Sequence, residues 1–214
     1  LTITAGARFD DNDTFQDFST RPTSLSYAWR ELGLLPHVSY GTGVKLPGMY
    51  DQFGPNNADY KSNPNLNPET SRGWDAGIEA TFLGGRATVD VTYFDADLRN
   101  RFFLDFDLAD FKSFVNNSRG ESTRRGVEIA TRYALTPGLS LGLAYTYTDA
   151  KDANGLREFR RAPHSGRADL RALFAEGRGT ASIAVAYTGS RDDRVFFTDQ
   201  NFNFNTGRYE MPGY

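Results

Sequence analysis

Cysteine is absent from the 214 residues and histidine occurs only twice. Disulfide staples and thiolate-bound metals are therefore excluded. No apolar run approaches the roughly 18 residues that a transmembrane helix needs. A strong excess of one charge is missing too: 24 Lys and Arg against 27 Asp and Glu leave a net charge of -3. Nothing in that balance points to nucleic acid. No secretory-signal pattern is visible, because Leu1 starts directly in an alternating segment. The chain reads as a piece cut from something longer. None of these absences excludes a transmembrane barrel, whose polar lumen face and loops dilute its hydropathy.

What the chain does have is a rhythm. From Leu139 to Thr148, odd positions carry Leu, Leu, Leu, Tyr, Tyr and even positions carry Ser, Gly, Ala, Thr, Thr. That is a strand with one apolar and one small polar face. Thr180 to Thr188 repeats the pattern with Ala181, Ile183, Val185 and Tyr187. Such faces run about nine to eleven residues, the length with which a tilted strand crosses a bilayer. The aromatic content, 11 Tyr and 17 Phe, suits the interfacial girdles of such strands.

The pattern predicts about nine strands and the start of a tenth: Leu1–Asp10, Thr23–Arg30, Leu34–Val44, Ser71–Phe82, Ala87–Asp97, Arg125–Leu135, Leu139–Thr148, Gly166–Ala175 and Thr180–Gly189, with another beginning near Tyr209. Short turns follow Arg30, Phe82, Leu135 and Ala175. Long connections occupy 10–21, 45–70, 98–121, 149–163 and the stretch after Gly189. Short turns on one rim and long loops on the other are the asymmetry of outer-membrane barrels. The polar parity carries Glu79, Asp90, Glu128, Arg132, Arg167, Asp169 and Arg171, too many charges for a sandwich core. A soluble β-sandwich binding module would have to turn that face to water. The predicted fold class is all-β: an antiparallel transmembrane β-barrel, here an incomplete barrel or open curved sheet.

The most specific stretch is Asn63-Pro64-Asn65-Leu66-Asn67-Pro68-Glu69-Thr70-Ser71, leading into Gly73-Trp74-Asp75-Ala76-Gly77-Ile78-Glu79. Its prolines hold extended backbone and its asparagines favour turns, so it is a rigid entry to a strand. It resembles the Asn-Pro-x-Leu-x-Pro-Glu motif of TonB-dependent outer-membrane receptors. Ser39 to Gly54 resembles the same family's Ser-Tyr-Gly-x-Gly-Phe-Lys-Ala-Pro segment. Tyr93 to Leu98, Gly126 to Ile129, and the strand entry Arg161-Ala162-Pro163-His164 are similar to the family's strands downstream of that motif. The resemblance spans nearly all of residues 1–214 and is nearest to vitamin B12 receptors. Siderophore receptors share much of both segments. The haem-receptor pattern fits less well, since Val44-Lys45-Leu46-Pro47 stands in place of its first box and no histidine lies between 47 and 63.

That resemblance implies a wall segment from the C-terminal half of a barrel of about 22 strands with a plugged lumen. The plug, the TonB box and the last strands are expected to lie outside the chain. It implies active transport of cobalamin or a related corrinoid, or of a ferric siderophore, in the outer membrane of a Gram-negative bacterium. The implied partners are outer-membrane lipid and lipopolysaccharide, the TonB complex through the missing plug region, and the ligand. A monomeric barrel, without cofactor or resident metal and without enzymatic activity, is expected. A passive porin or adhesin barrel is the competing membrane reading.

Candidate ligand contacts are the aromatics and an amide of the long connections: Tyr50, Phe53, Asn57, Tyr60, Phe102, Phe103 and Phe106. Exposed aromatic rings can hold a flat, bulky solute, and loop-on-loop packing would use the same residues. Asn63, Pro64, Leu66, Pro68 and Glu69 are the motif residues. Arg99, Arg101 and Arg119 could meet an anionic ligand or lipopolysaccharide phosphate. His37, on the polar parity, lacks partners for a metal site. Asp10, Asp11, Asp13 and Asp17 lack the spacing and glycine of an EF-hand. The glycine pairs at 84–85 and 177–179 are hairpin glycines and open no helix.

Overall fold

The computed structural model describes residues 1–13, 17–198 and 204–214. Among the described residues, alternation becomes fifteen strands and one short helix. In order these are β1 (Thr2–Ala5), β2 (Arg8–Asp10), β3 (Phe18–Thr20), β4 (Thr23–Ser26), β5 (Leu34–Lys45), α1 (Met49–Phe53), β6 (Glu69–Phe82), β7 (Ala87–Arg99), β8 (Phe102–Asp107), β9 (Lys112–Asn117), β10 (Glu121–Thr136), β11 (Leu139–Lys151), β12 (His164–Phe174), β13 (Gly179–Thr188), β14 (Arg191–Thr198) and β15 (Phe204–Met211). Nine of them form one antiparallel sheet, β1-β4-β5-β6-β7-β10-β11-β12-β13, open at both ends. These nine answer to the nine strands read from the sequence. The other six make three hairpins, β2–β3, β8–β9 and β14–β15, all in the long loops.

Register sets the two faces. One row runs Leu34, Ala80, Val89, Thr131, Leu143, Ala168, Val185, and its neighbour runs Pro36, Ile78, Val91, Ile129, Tyr145, Gly166, Tyr187. The opposite face carries His37, Glu79, Asp90, Glu128, Arg132, Arg167 and Asp169. Neither face is covered. Ile183 is 69% exposed, and among the described residues the buried apolar side chains are Phe18, Leu66, Pro68, Ala87 and Ala150. The accessible surface is 14675 Å², where a soluble protein of this mass would show about 9,900 Å². A β-sandwich would have hidden one face, so that alternative is removed.

The strands are longer than the apolar pattern. The ladder continues beyond Tyr40, Trp74 and Tyr93 into rows where the apolar-side positions are charged. There Arg72 meets Asp97 at 3.0 Å, Arg125 meets Asp95 at 3.0 Å, and Arg99 meets Glu121 at 2.5 Å. Hydropathy cannot register that part of a strand, because its outward side chains are ion pairs.

Three expectations are corrected. The strand Leu1–Asp10 is two pieces: the chain breaks at Gly6, whose N–H donates to Pro22 O at 2.9 Å, and β2 pairs with β3 instead. Thr23–Arg30 is regular only to Ser26, since Pro36 on the facing strand has no N–H to give. Its pairing persists through Tyr27 N–H to Pro36 O and a bridge of Trp29 to Leu34. Tyr209 lies in β15, opposite Asp193 of β14, rather than in the wall. It is Tyr214 that returns to the sheet, exchanging both backbone hydrogen bonds with Thr188.

Candidate functional site

The long-loop rim is ordered by side-chain amides bonded to backbone groups. In the 46–68 connection, α1 places Gln52 inward, where its Nε2 donates to Pro64 O at 3.2 Å, and Asn63 N–H donates to Asp51 O at 2.8 Å. The motif then fastens this loop to the β8–β9 hairpin. Asn63 Nδ2 donates to Val115 O at 3.1 Å, and the N–H of Asn67 donates to Asn117 Oδ1 at 2.7 Å. Asn117 Nδ2 donates back to Asn67 O and to Asn100 O, at 2.9 and 2.7 Å. Asn100 Nδ2 reaches Pro68 O at 3.3 Å, and Glu69 Oε1 accepts from the Phe102 N–H. Leu66, 2% exposed, and Pro68 are buried at the centre. Asn63, Pro64, Leu66, Pro68 and Glu69 thus build a platform, and sequence reasoning missed their partners Gln52, Asn100 and Asn117. Those lie 12 to 50 residues away along the chain, beyond any local spacing signal.

The aromatic candidates divide. Tyr50 and Tyr60 stack at 5.2 Å, and Phe53 and Asn57 are exposed beside them. The Tyr60 hydroxyl donates to Asp51 at 2.9 Å; burial, and then that carboxylate, pushes its pKa up to about 12. Phe102 and Phe106 share one face of β8, with Phe106 edge-on to Phe111 at 6.4 Å, while Phe103 points the other way. Lys45 Nζ lies 5.0 Å from the Phe102 ring. Lys61 ties the two groups together: it bonds Asp107 and Asp110 and sits 5.1 Å from the Phe114 ring. The hydrogen bond from Lys61 holds the Asp107 carboxyl below its usual range, and Asp107 raises Lys61.

The arginine candidates separate as well. Arg99 points outward to Glu121, Arg119 is exposed, and Arg101 turns inward to Glu158 at 2.5 Å. Glu158, with its side chain 3% exposed, also receives Arg124 at 3.2 Å and Arg161 at 3.7 Å. Around it the 157–161 segment reaches the β14–β15 hairpin. Arg160 bonds Asp193 at 2.8 Å, Arg208 bonds Asp192 at 2.6 Å, and Arg194 and Arg208 lie 5.3 and 4.5 Å from the Phe159 ring. Nothing in the sequence marked this knot beyond a charged loop.

On the polar face below, His37 Nε2 meets Asp90 Oδ2 at 3.0 Å, Thr92 donates to Asp90 at 2.8 Å, and Ser39 bonds Asp75. Asp10 of the acidic loop pairs with Arg8 at 2.6 Å. Among the described residues, no group of three His, Asp or Glu is placed to hold a metal.

Residues 1–214 match the family model of the TonB-dependent-receptor-like β-barrel along their whole length. The chain belongs to the TonB-dependent receptors. This receptor segment is 29% identical over 213 residues to the vitamin B12 transporter BtuB of Vibrio cholerae serotype O1, covering 98% of the chain and 32% of that protein. It therefore spans about a third of the length of the curated relatives it matches. Among solved structures, the ferric enterobactin receptor of Pseudomonas aeruginosa in complex with enterobactin superimposes with a TM-score of 0.73 at 18% identity, over 99% of this chain and 34% of that one. The ferripyoverdine receptor of the outer membrane of the same organism superimposes with a TM-score of 0.66 at 15% identity, over 94% and 27%. The nine-stranded sheet is thus part of the wall of an outer-membrane barrel of a Gram-negative bacterium. A porin or adhesin reading falls with that assignment.

Proposed function

We propose that the protein to which this chain belongs captures a corrinoid, cobalamin or a near relative, and imports it through the outer membrane with energy delivered by TonB. The observation that carries this reading is the 29% identity to a vitamin B12 transporter over 98% of the chain. That likeness includes the loops as well as the lipid-facing strands, whose composition any barrel shares. The exposed rings of Tyr50, Phe53, Phe103 and Phe106 support it, because a corrin is a broad, mostly apolar plate that aromatic faces can hold. In this reading the 46–68 loop and the β8–β9 hairpin lie outside the cell and form one side of the capture site. The wall supplies lumen lining, and the TonB contact lies elsewhere in the protein. Transport breaks no covalent bond, so the segment holds no catalytic group.

Saturable binding of radiolabelled cyanocobalamin to outer membranes from cells carrying the full-length gene tests this. Absence of saturable cyanocobalamin binding, with saturable binding of a radiolabelled ferric siderophore to the same membranes, would replace the corrinoid with an iron chelate.

A further inference from the structure

The knot at Glu158 holds more positive charge than its single carboxylate can neutralise. Arg101 and Arg124 each place one terminal nitrogen on that carboxylate, at 2.5 and 3.2 Å, and Arg161 stands at 3.7 Å. The neighbouring arginines are paired elsewhere, Arg160 with Asp193 and Arg208 with Asp192. Three guanidiniums against one carboxylate leave an excess of two charges. Two buried polar atoms there lack a partner within the protein: Arg124 Nε, and Oγ of Ser118, whose N–H is bonded to Arg101 O. Arg124 shares the lumen parity of Glu128 and Arg132 on β10, so the cluster sits at the inner rim of the wall, under the 152–163 loop. Arg101 and Arg124 remain about a quarter exposed and Arg161 is 55% exposed. A solute entering between the loops can reach them.

We propose that Arg101, Arg124 and Arg161 form an anion seat that receives a phosphate-diester or carboxylate group of the transported ligand. The fork of a guanidinium matches such oxygens, and those bonds are charge-assisted. Glu158 is the positioning residue: it gathers the three side chains and lowers their net charge by one. Removing an arginine must therefore weaken anion binding, whereas Glu158→Gln, which keeps an acceptor oxygen for the guanidiniums and removes the opposing charge, must strengthen it. A merely structural knot would lose function both ways.

This rests on the corrinoid reading only for its natural ligand, and the test separates the two. Cyanocobalamin carries a phosphodiester and cobinamide lacks it. In the full-length receptor, Arg161→Gln should weaken cyanocobalamin about tenfold, the scale of one lost charge-assisted bond, and leave cobinamide unchanged. Glu158→Gln should tighten cyanocobalamin relative to cobinamide. Inorganic pyrophosphate should slow amide exchange across 152–163 in the wild type and not in Arg124→Gln. Failure of both corrinoids to bind, with pyrophosphate protection retained, overturns the corrinoid reading and keeps the seat. No pyrophosphate protection, or equal losses for both corrinoids in Arg161→Gln, overturns the seat.

Discussion

The side chain of Asn117 grips the backbone of Asn67 from both ends, accepting from its N–H at 2.7 Å and donating to its carbonyl at 2.9 Å. One amide, fixed at the end of β9, thereby closes the base of a loop whose sequence begins more than fifty residues earlier. Its second donor goes to Asn100 O, so every strong hydrogen-bonding direction but one is used. Asn117→Ala should free the 46–68 loop at a local cost of about 1–3 kcal/mol. Faster proteolytic nicking between Asn56 and Lys61, with the barrel itself intact, is the expected outcome. Asn117→Asp should behave nearly as badly, because it keeps the acceptor and loses both donors.

The apolar face of the wall takes the odd positions of β11. Leu143 lies in the middle of its apolar run, level with Ala168 and Val185. Leu143→Arg should cost about 2–4 kcal/mol in a refolding titration of the full-length protein into lipid, the scale for a charge near the midplane. The same substitution at exposed Leu156, in the long-loop rim, should be within about 0.5 kcal/mol of neutral. Equal effects at the two positions would contradict the register.

Two hairpins share one backbone path. Leu83, Gly84 and Gly85 have φ of 55, 65 and 86°, and Ala175, Glu176 and Gly177 have 51, 57 and 86°. The second turn places two side chains in the left-handed region, where each costs roughly 1–2 kcal/mol. Ala175→Gly and Glu176→Gly should each raise the urea midpoint of the full-length barrel, less a few tenths for the freer unfolded chain. A lower midpoint would argue against this turn.

Docking of the 46–68 loop on the β8–β9 hairpin should depend on pH at both extremes. Asp107 titrates below its ordinary value, so its contribution is complete above about pH 4 and is lost as acid takes the pH through the lower folded value. Lys61 titrates above its ordinary value, so its contribution holds below about pH 10 and disappears in stronger alkali. Tyr60, up at about 12, loses its proton and its bond to Asp51 in the same alkaline range. Amide exchange of residues 57–63 should be slow from about pH 5 to 9, once intrinsic exchange rates are divided out, and should rise on either side.

Orientation is testable at Asn57. A cysteine there should react with a membrane-impermeant maleimide in intact cells, since Asn57 is exposed on the long-loop rim. Reaction only after the outer membrane is opened would invert the topology.

How much of this was legible depends on the range of the interactions. Leu139 to Tyr147 declares its strand because its apolar side chains repeat every second residue. Arg72, Arg99 and Arg125 belong to the same strands, yet their outward neighbours are carboxylates, and the alternation fades from hydropathy. The Asn63–Glu69 motif is visible as a rigid strand entry, but its purpose lies in Asn100, just before β8, and Asn117, at the end of β9. The tip residues Leu104, Leu108 and Phe111 are exposed, so no buried periodicity betrays β8 and β9. The knot at Glu158 joins residues 57 and 34 positions apart, and Arg101 lies beyond the last β7–β10 pair, Arg99 with Glu121.

The strands outrun the apolar belt, and that sets an elevation. At about 3.3 Å per residue and a tilt near 40°, the 16 residues of β10 climb roughly 40 Å, of which lipid occupies about 25 Å. The remaining ~15 Å is a collar of paired charges from Arg125 upward, carrying the Asn117 clasp at its top. Hydrocarbon drawn up over these rows would strip water from paired charges, at a cost their mutual attraction does not reliably offset, so the collar limits how high a membrane can stand on the wall. The platform above thereby stands about 15 Å clear of the apolar belt.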